Sequence, residues 1–357
     1  MKWADDIIGL IDLSSAVTFT QPTYNTVVEM YTKGKRTWTS EQFTEFLAER
    51  VVSRDRRDIE KILFRLGLSQ FDVLKVANAT RGIHPKDLLW IAKSKDEKLN
   101  DAMTETFSSV FGKKIDAAGD STNSPEGFNI KRYGVYNERY GIYKKRINPL
   151  TTDAESEVAV YLLAKELGVP CCPAYMVDED TMFSEFLFDF SKEYIVHIRR
   201  LFDDRAFGED EYKNLIETRP QYKDDFARMI ILDFITRQDD RHRSNMAIKI
   251  STAGECFYPL YDNGRSLFYE DTEERVSKAI ADPIVHCTSF GQRGTYYDAI
   301  NDIIKDRGNL KGLVNLNITE ACVKDILVQA KFKGYRLDGA LKWIMSTLKI
   351  LNTAQGE

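Results

Sequence analysis

The sequence predicts an α+β protein with two lobes and a mainly helical N-terminal extension. Three observations predict this class. Residues 1–112 carry apolar side chains mainly at helical spacing, and residues 113–190 contain two hairpin patterns around one capped helix. Residues 191–357 are again mainly helical, with one further hairpin pattern. We therefore expect a helical module, a strand-rich lobe and a helical lobe with these boundaries.

The composition is typical of a globular protein. The chain has 357 residues, 43% of them apolar, and 50 basic against 55 acidic side chains give a net charge of −5. No apolar run reaches the roughly 20 residues that span a bilayer, and the start lacks a signal-peptide pattern. Five cysteines without a CxxC pair predict free thiols and a cytoplasmic location. The slight acidity gives no general attraction to nucleic acid.

The N-terminal module is predicted to contain helices at residues 40–52, 55–66, 69–78 and 86–92. Gly67 follows the second of these and is a typical helix stop. Residues 67–82 faintly resemble a helix-turn-helix, but they carry no basic recognition face. Direct binding to nucleic acid is therefore not predicted.

The strand-rich lobe is predicted from residue 128 onwards. One hairpin is expected at 128–136 and 140–147, and a second at 174–177 and 181–188. Between them a helix should begin at Asp153 and stop at Gly168. The helical lobe should follow, with helices at 222–235, 296–305, 318–330 and 337–353 and a hairpin at 246–250 and 256–260.

The segment 238–245, QDDRHRSN, carries the strongest chemical pattern. Asn245 precedes the last hairpin and Asp262 follows it, and paired strands lie about 4.8 Å apart, so the two side chains should converge. Their oxygens are ligands suited to Mg²⁺. Asp240 lies in the same loop, and phosphoryl transfer needs such a carboxylate to orient a hydroxyl beside the metal ligands. The alternative is a solvated charged loop.

These residues resemble the HipA-like kinases, a bacterial Ser/Thr kinase family with a protein-kinase-like fold. The matching pattern is Asp240, His242 and Asn245, then a hairpin and Pro259–Leu260–Tyr261–Asp262. The resemblance covers residues 120–355 and implies ATP and Mg²⁺ as cofactors. It makes Asp240, Asn245 and Asp262 the catalytic residues, with Asn245 and Asp262 on the metal, and gives His242 a loop-stabilising role. Phosphatidylinositol and aminoglycoside kinases share this arrangement, so the acceptor stays open.

To bind ATP, a kinase requires a lysine on a strand and a glutamate on the following helix. The strand that ends at Lys144 and Lys145 offers two lysines, and alternation does not choose between them. The resemblance favours Lys144. Of Glu155 and Glu157, Glu157 lies on an apolar stripe, where a carboxylate needs a cation, and it matches the family position. The alternative is acidic charge that complements the helix dipole.

Residues 119–127 precede the first strand, where kinases place a phosphate-covering loop. They contain neither GxGxxG nor GxxxxGK[ST]. The resemblance implies a Ser-bearing loop, so Ser121 and Ser124 are candidate nucleotide-proximal residues and autophosphorylation sites. A phosphate there would be repelled by the nucleotide and inhibit the enzyme. A plain domain linker is the alternative.

The sequence thus favours a kinase acting on Ser or Thr of a protein. A small-molecule or lipid kinase of the same fold is the second hypothesis. A regulatory binding protein with a vestigial kinase core is the third, although the intact set of Asp240, Asn245 and Asp262 argues against it. The resemblance also implies a toxin-like role with an antitoxin-like regulator. Asp233, inside an apolar helix, is either a loop anchor or a chance carboxylate.

Overall fold

The computed structural model describes residues 1–106, 130–189, 192–201, 217–286 and 294–354. The chain divides into two compact units. The first contains residues 1–145, 188–196 and 250–254, and the second contains residues 146–187, 197–249 and 255–357. No helix in the described ranges is long and apolar enough to cross a membrane. Helices and strands are mixed in the chain, as the α+β prediction requires. The three-part division at residues 112 and 190 stays a prediction.

The first unit combines short helices with small antiparallel sheets. One sheet has the strand order Asp6–Ile7, Lys2–Trp3, Leu89–Trp90, and another has the order Gly9–Ile11, Val17–Phe19, Thr37–Trp38. Thr39 begins one helix with a capping box, in which its side chain accepts the Gln42 N–H. The elements are β1 (Lys2–Trp3), β2 (Asp6–Ile7), β3 (Gly9–Ile11), β4 (Val17–Phe19), α1 (Thr26–Thr32), β5 (Thr37–Trp38), α2 (Ser40–Ala48), α3 (Ile59–Arg65), α4 (Val73–Thr80), β6 (Leu89–Trp90), α5 (Leu99–Thr106), β7 (Lys131–Tyr136) and β8 (Arg139–Lys145).

The prediction of a helix at residues 86–92 is wrong, because strand β6 occupies part of this range. Leu89 and Trp90 pair with Trp3 and Lys2 of β1. Asp87 accepts the Leu89 N–H at 2.8 Å, which turns the chain into the strand. A partner almost 90 residues away therefore overrides the local helical pattern.

A buried ion pair connects the helices of the first unit to β6. Both guanidinium ends of Arg50 bind the Asp87 carboxylate, at 2.7 and 2.8 Å. Arg50 also donates to the carbonyls of Gly82 and Leu89, at 2.8 and 2.7 Å. Because both partners are buried, this pair joins α2 to the segment that leads into β6 in one arrangement.

Strands β7 and β8 form the first predicted hairpin, in a register that runs from Lys131 opposite Lys144 to Tyr136 opposite Arg139. Asn137 and Glu138 make the turn with φ of 49° and 66°, as a two-residue hairpin turn requires. The prediction of this hairpin is confirmed.

The second unit is mainly helical. Its first helix ends at Gly168 with φ of 74°, as the glycine stop predicted. Three strands, Tyr194–His197, Ala247–Ser251 and Gly254–Phe257, contain residues that belong to each of the two units. The remaining elements are α6 (Asp153–Leu167), β9 (Ala174–Met176), β10 (Thr181–Glu185), β11 (Tyr194–His197), α7 (Lys223–Thr236), β12 (Ala247–Ser251), β13 (Gly254–Phe257), α8 (Glu273–Ala281), α9 (Tyr296–Arg307), α10 (Glu320–Gln329) and α11 (Gly334–Ala354).

Helix α7 forms the centre of the second unit. Every residue from Met229 to Thr236 is buried, and the helix packs against α9 and α11. It ends at Arg237, whose left-handed φ of 50° turns the chain into the loop 238–245. The Trp343 indole donates to the carbonyl of Phe234 at 3.3 Å and so satisfies one carbonyl of the last turn. The loop therefore starts from a rigid, buried base.

Candidate active site

The loop after α7 is built around the buried guanidinium of Arg241. Its Nε and Nη2 donate to the two oxygens of Asp233 on α7, each at 2.9 Å. The side chains are 0% and 1% exposed. Burial alone would lower the pKa of Arg241, but the Asp233 carboxylate raises it, so the guanidinium stays charged.

The same guanidinium also binds the two chain segments that carry the predicted metal ligands, Asn245 and Asp262. Arg241 donates to the carbonyls of Asn245 and Tyr261, at 3.2 and 3.0 Å. It donates as well to the side-chain oxygen of Asn263, at 2.6 Å. One cation thus joins the loop 238–245 to the chain on either side of Asp262. The sequence predicted Asp233 as a candidate anchor of the loop. It did not reveal the role of Arg241, although Arg241 lies within the segment 238–245.

The loop is closed further by its own side chains. The Asp240 N–H donates to Gln238 Oε1 at 2.9 Å, and Asn245 Nδ2 donates to the Asp240 carbonyl at 2.9 Å. With its amide nitrogen in that bond, the side-chain oxygen of Asn245 is the atom that would hold a metal ion. His242 is exposed, and its Nδ1 accepts the Ser244 N–H at 3.2 Å, which is a loop-stabilising contact.

Asp240 and Asp262 lie close enough to influence each other. Burial raises the pKa of Asp240, and the Asp262 carboxylate raises it further. The guanidinium of Arg265, 3.6 Å from Asp240 Oδ1, acts in the opposite direction. A raised pKa makes a carboxylate a better proton acceptor.

The donor set fits a Mg²⁺ ion that is shared with a nucleotide. In the described part of the chain, no group of three or more His, Cys, Asp and Glu side chains could hold a metal by itself. Asn245 and Asp262 supply an amide oxygen and a carboxylate, which are hard ligands. Mg²⁺ bound to substrate phosphates needs only one or two protein carboxylates. The residues present therefore fit the metal that kinases use.

The Asp262–Asp271 segment, which follows the last hairpin, has a strained backbone. Asp262, Leu267 and Phe268 have φ of 57°, 51° and 63°, which costs roughly 1–2 kcal/mol for each non-glycine residue. Packing offsets this strain, since Leu267 and Phe268 are fully buried and the Leu267 N–H donates to Thr236 at 2.8 Å. Arg336 on α11 binds the Phe268 carbonyl. Strain of this kind concentrates at functional sites.

Helix α6 places Glu157 beside the turn that follows Asp262. The carboxylate is 3% exposed, and a Cβ on Gly264 would lie 3.2 Å from Glu157 Oε2 and 3.1 Å from the Asp153 carbonyl. The turn after Asp262 therefore packs directly on α6, and glycine permits this approach. Glu155, the other candidate, forms an ion pair with Arg146 instead.

Lys144 lies in the first unit, on β8, and is buried, whereas Lys145 is exposed. This difference favours Lys144 as the functional lysine. Its pairing with Glu157 stays a prediction. Ser121 and Ser124 lie outside the described residues.

Two aromatic side chains from the C-terminal part of the chain, His286 and Tyr296, hold the start of the loop. The Gln238 carbonyl accepts the Tyr296 hydroxyl at 3.0 Å and contacts His286 Nε2 at 3.3 Å. The two rings stack, with centroids 5.2 Å apart. Burial lowers the pKa of His286 to about 4, so the ring is neutral at pH 7 and donates from Nε2. No local sequence pattern links His286 to the loop, so only the structure identifies this contact.

The comparisons with known proteins identify the fold. No protein-family model matches the chain, and no curated protein is significantly similar in sequence. HipA of Shewanella oneidensis MR-1, solved in a toxin–antitoxin complex with HipB and operator DNA, is similar in structure. The TM-score is 0.56 at 12% identity, over 100% of this chain and 99% of that chain. CtkA, a proinflammatory kinase of Helicobacter pylori, gives a TM-score of 0.50 at 13% identity, over 68% of this chain and 92% of that chain.

The class of structure follows from these alignments. The chain has an α+β kinase-like fold of the HipA type, which confirms the fold class and the structural resemblance predicted from the sequence. Identities of 12% and 13% establish the fold alone. The chemistry must therefore be argued from the residues of the site.

We predict that Asp233→Ala destabilises the protein by about 3–5 kcal/mol, because it leaves the Arg241 guanidinium buried without its counter-ion. Asp225→Ala is the matched control on the same helix, since Asp225 pairs with Arg228 at 3.3 Å and both are partly exposed. The control should change the free energy of unfolding by no more than about 1 kcal/mol. Urea denaturation measures both. Equal effects would contradict the central role of Arg241.

A second prediction concerns acid stability. The folded protein holds the pKa of His286 at about 4 while the unfolded value is 6.5, so the unfolded state binds more protons between these pH values. The free energy of unfolding should therefore fall as the pH drops from about 6.5 to 4. Between pH 7 and pH 4.5, the free energy of unfolding of His286→Phe should fall by about 2 kcal/mol less than that of the wild type. Denaturant titrations at the two pH values test this, and parallel losses would contradict it.

Proposed function

We propose that the protein is an ATP- and Mg²⁺-dependent kinase that transfers a phosphoryl group to a Ser or Thr hydroxyl of a protein. The observation that carries the proposal is the assembly of Asp240, Asn245 and Asp262 around Arg241 in a kinase-like fold. Phosphoryl transfer depends mainly on positioning and on charge stabilisation, and these residue types supply both.

Each residue has a defined role in this proposal. Asp240 orients the acceptor hydroxyl and takes its proton, for which its raised pKa is suited. Asn245 and Asp262 would hold Mg²⁺, which neutralises charge on the nucleotide phosphates. Lys144 binds the nucleotide phosphates, and Glu157 orients that lysine. The buried position of Lys144 and the place of Glu157 beside the Asp262 turn support these assignments.

A regulatory context is also proposed. HipA of Shewanella oneidensis MR-1 is part of a toxin–antitoxin system with HipB, and its fold aligns with the whole of this chain. We propose a toxin-like kinase restrained by an antitoxin-like protein. Expression of the wild type should then arrest growth, whereas normal growth with an active kinase would refute the toxin role.

Transfer of labelled phosphate tests the proposed reaction. The protein is incubated with radiolabelled ATP, Mg²⁺ and a cytosolic lysate, and labelled proteins are compared with labelled small molecules and lipids. Asp240→Ala and Asp262→Ala should each lower transfer by at least about 10²-fold, and Asp225→Ala should retain it. Lys144→Ala should lose activity while Lys145→Ala keeps it. Full activity of Asp262→Ala would refute the mechanism, and label only in small molecules would identify another acceptor.

The Ser-bearing loop is tested separately. We expect Mg-ATP to add a phosphate to Ser121 or Ser124 in the wild type and none in Asp240→Ala. The added charge of about −1.5 to −2 would be repelled by the nucleotide phosphates and inhibit the enzyme. Intact and peptide mass spectrometry measures the modification. An unmodified loop in an active kinase would refute self-inhibition and leave the catalytic assignment intact.

A further inference from the structure

We infer that Arg265 contacts the phosphoryl group during transfer and is a further catalytic residue of this site. The inference rests on the proposed function. It assigns to this chain an internal arginine that stabilises the transition state, supplied by the Asp262–Asp271 segment.

The backbone of Arg265 is attached to the catalytic loop. Its carbonyl accepts the N–H of Asp239 at 3.1 Å, directly beside Asp240. Three residues earlier in the chain, Asp262 occupies its left-handed backbone position. The position of Arg265 is therefore set by the two segments that carry the proposed base and the proposed metal ligand.

The side chain extends along the two loop carboxylates. Nη1 lies 3.6 Å from Asp240 Oδ1, and Nε lies 3.5 Å from Asp239 Oδ1. The guanidinium also lies 5.4 Å from the ring centre of Tyr269, which restricts its motion. The Arg265 side chain is 46% exposed, so it remains accessible to a ligand while it is held beside Asp240.

Other arginines near the loop are engaged in structural contacts. Arg241 is fully buried by the contacts described above. Arg243 is buried as well. Arg237 pairs with Asp271 at 2.9 Å and lies over the Phe268 ring. Within the described loop and segment, Arg265 is the arginine that is both exposed and next to Asp240.

The reaction brings negative charge to this position. A lone pair of the acceptor hydroxyl oxygen forms the new bond to the γ-phosphorus, and the bond from phosphorus to the β,γ-bridging oxygen breaks, leaving its electron pair on ADP. The hydroxyl proton passes to Asp240. In this step the acceptor hydroxyl lies within hydrogen-bond reach of Asp240. The Arg265 guanidinium contacts the same carboxylate, so the equatorial oxygens of the phosphoryl group come within its reach.

Binding of a transition-state mimic tests the inference without measuring activity. The probes are Mg-ADP alone and Mg-ADP with aluminium fluoride, measured by isothermal titration calorimetry. In the wild type, aluminium fluoride should tighten the binding of ADP. Arg265→Gln should weaken binding of the fluoride complex by about 10–100-fold, as expected for loss of charged hydrogen bonds, and change Mg-ADP affinity less than about twofold. Arg265→Lys should retain part of the enhancement.

Arg275→Gln is the control, because Arg275 is 72% exposed and pairs with Asp271 in the same unit. It should bind both probes as the wild type does. Where turnover is measured, Arg265→Gln should lower kcat by about 10³-fold with little change in the KM for ATP.

Two outcomes overturn the inference. If Arg265→Gln keeps the full enhancement by aluminium fluoride, Arg265 does not contact the phosphoryl group. If it weakens Mg-ADP alone and the fluoride complex equally, its role is to support the loop. Absence of Mg-ADP binding in the wild type is a different result, because it refutes the proposed function and the inference together.

Discussion

The ion pair between Arg241 and Asp233 is the interaction on which the candidate site depends. Burying two charges is costly, and their attraction offsets this cost only when the remaining donors and acceptors are also satisfied. Here the guanidinium meets that condition by binding Asn245, Tyr261 and Asn263. The groups that satisfy Arg241 thus belong to the segments that carry the proposed metal ligands. The geometry of the site and the stability of the loop follow from one contact network.

The first unit also contains a buried arginine–aspartate ion pair. Arg50 and Asp87 form a buried pair, and the further donors of Arg50 bind the carbonyls of Gly82 and Leu89. In both units the guanidinium of an arginine joins segments that are distant in sequence. A planar group with five donors can bind a carboxylate and several carbonyls at once, which a lysine cannot do. These pairs favour one arrangement of the chain, even where their net contribution to stability is small.

The Asp262–Asp271 segment combines strain with chemistry. Two of its three left-handed residues, Leu267 and Phe268, are held by their buried side chains and by bonds to α7 and α11. This conformation directs Asp262 and Arg265 to the loop 238–245 and lets Gly264 pack on α6 beside Glu157. A turn without left-handed residues would not bring Asp262, Gly264 and Arg265 to these neighbours together. The strain is therefore compatible with a segment selected for its function rather than for local stability.

The sequence by itself determined the local features of the protein. Glycine stops, hairpin turns and helical periodicity depend on neighbouring residues, so the helix ending at Gly168 and the β7–β8 hairpin were predictable. The spacing around one hairpin likewise predicted that Asp240, Asn245 and Asp262 share a site. Tertiary structure alone decided the strand at Leu89–Trp90, the role of Arg241 and the contacts of His286 and Tyr296 with the loop. These depend on partners far along the chain and on burial, which no local pattern encodes.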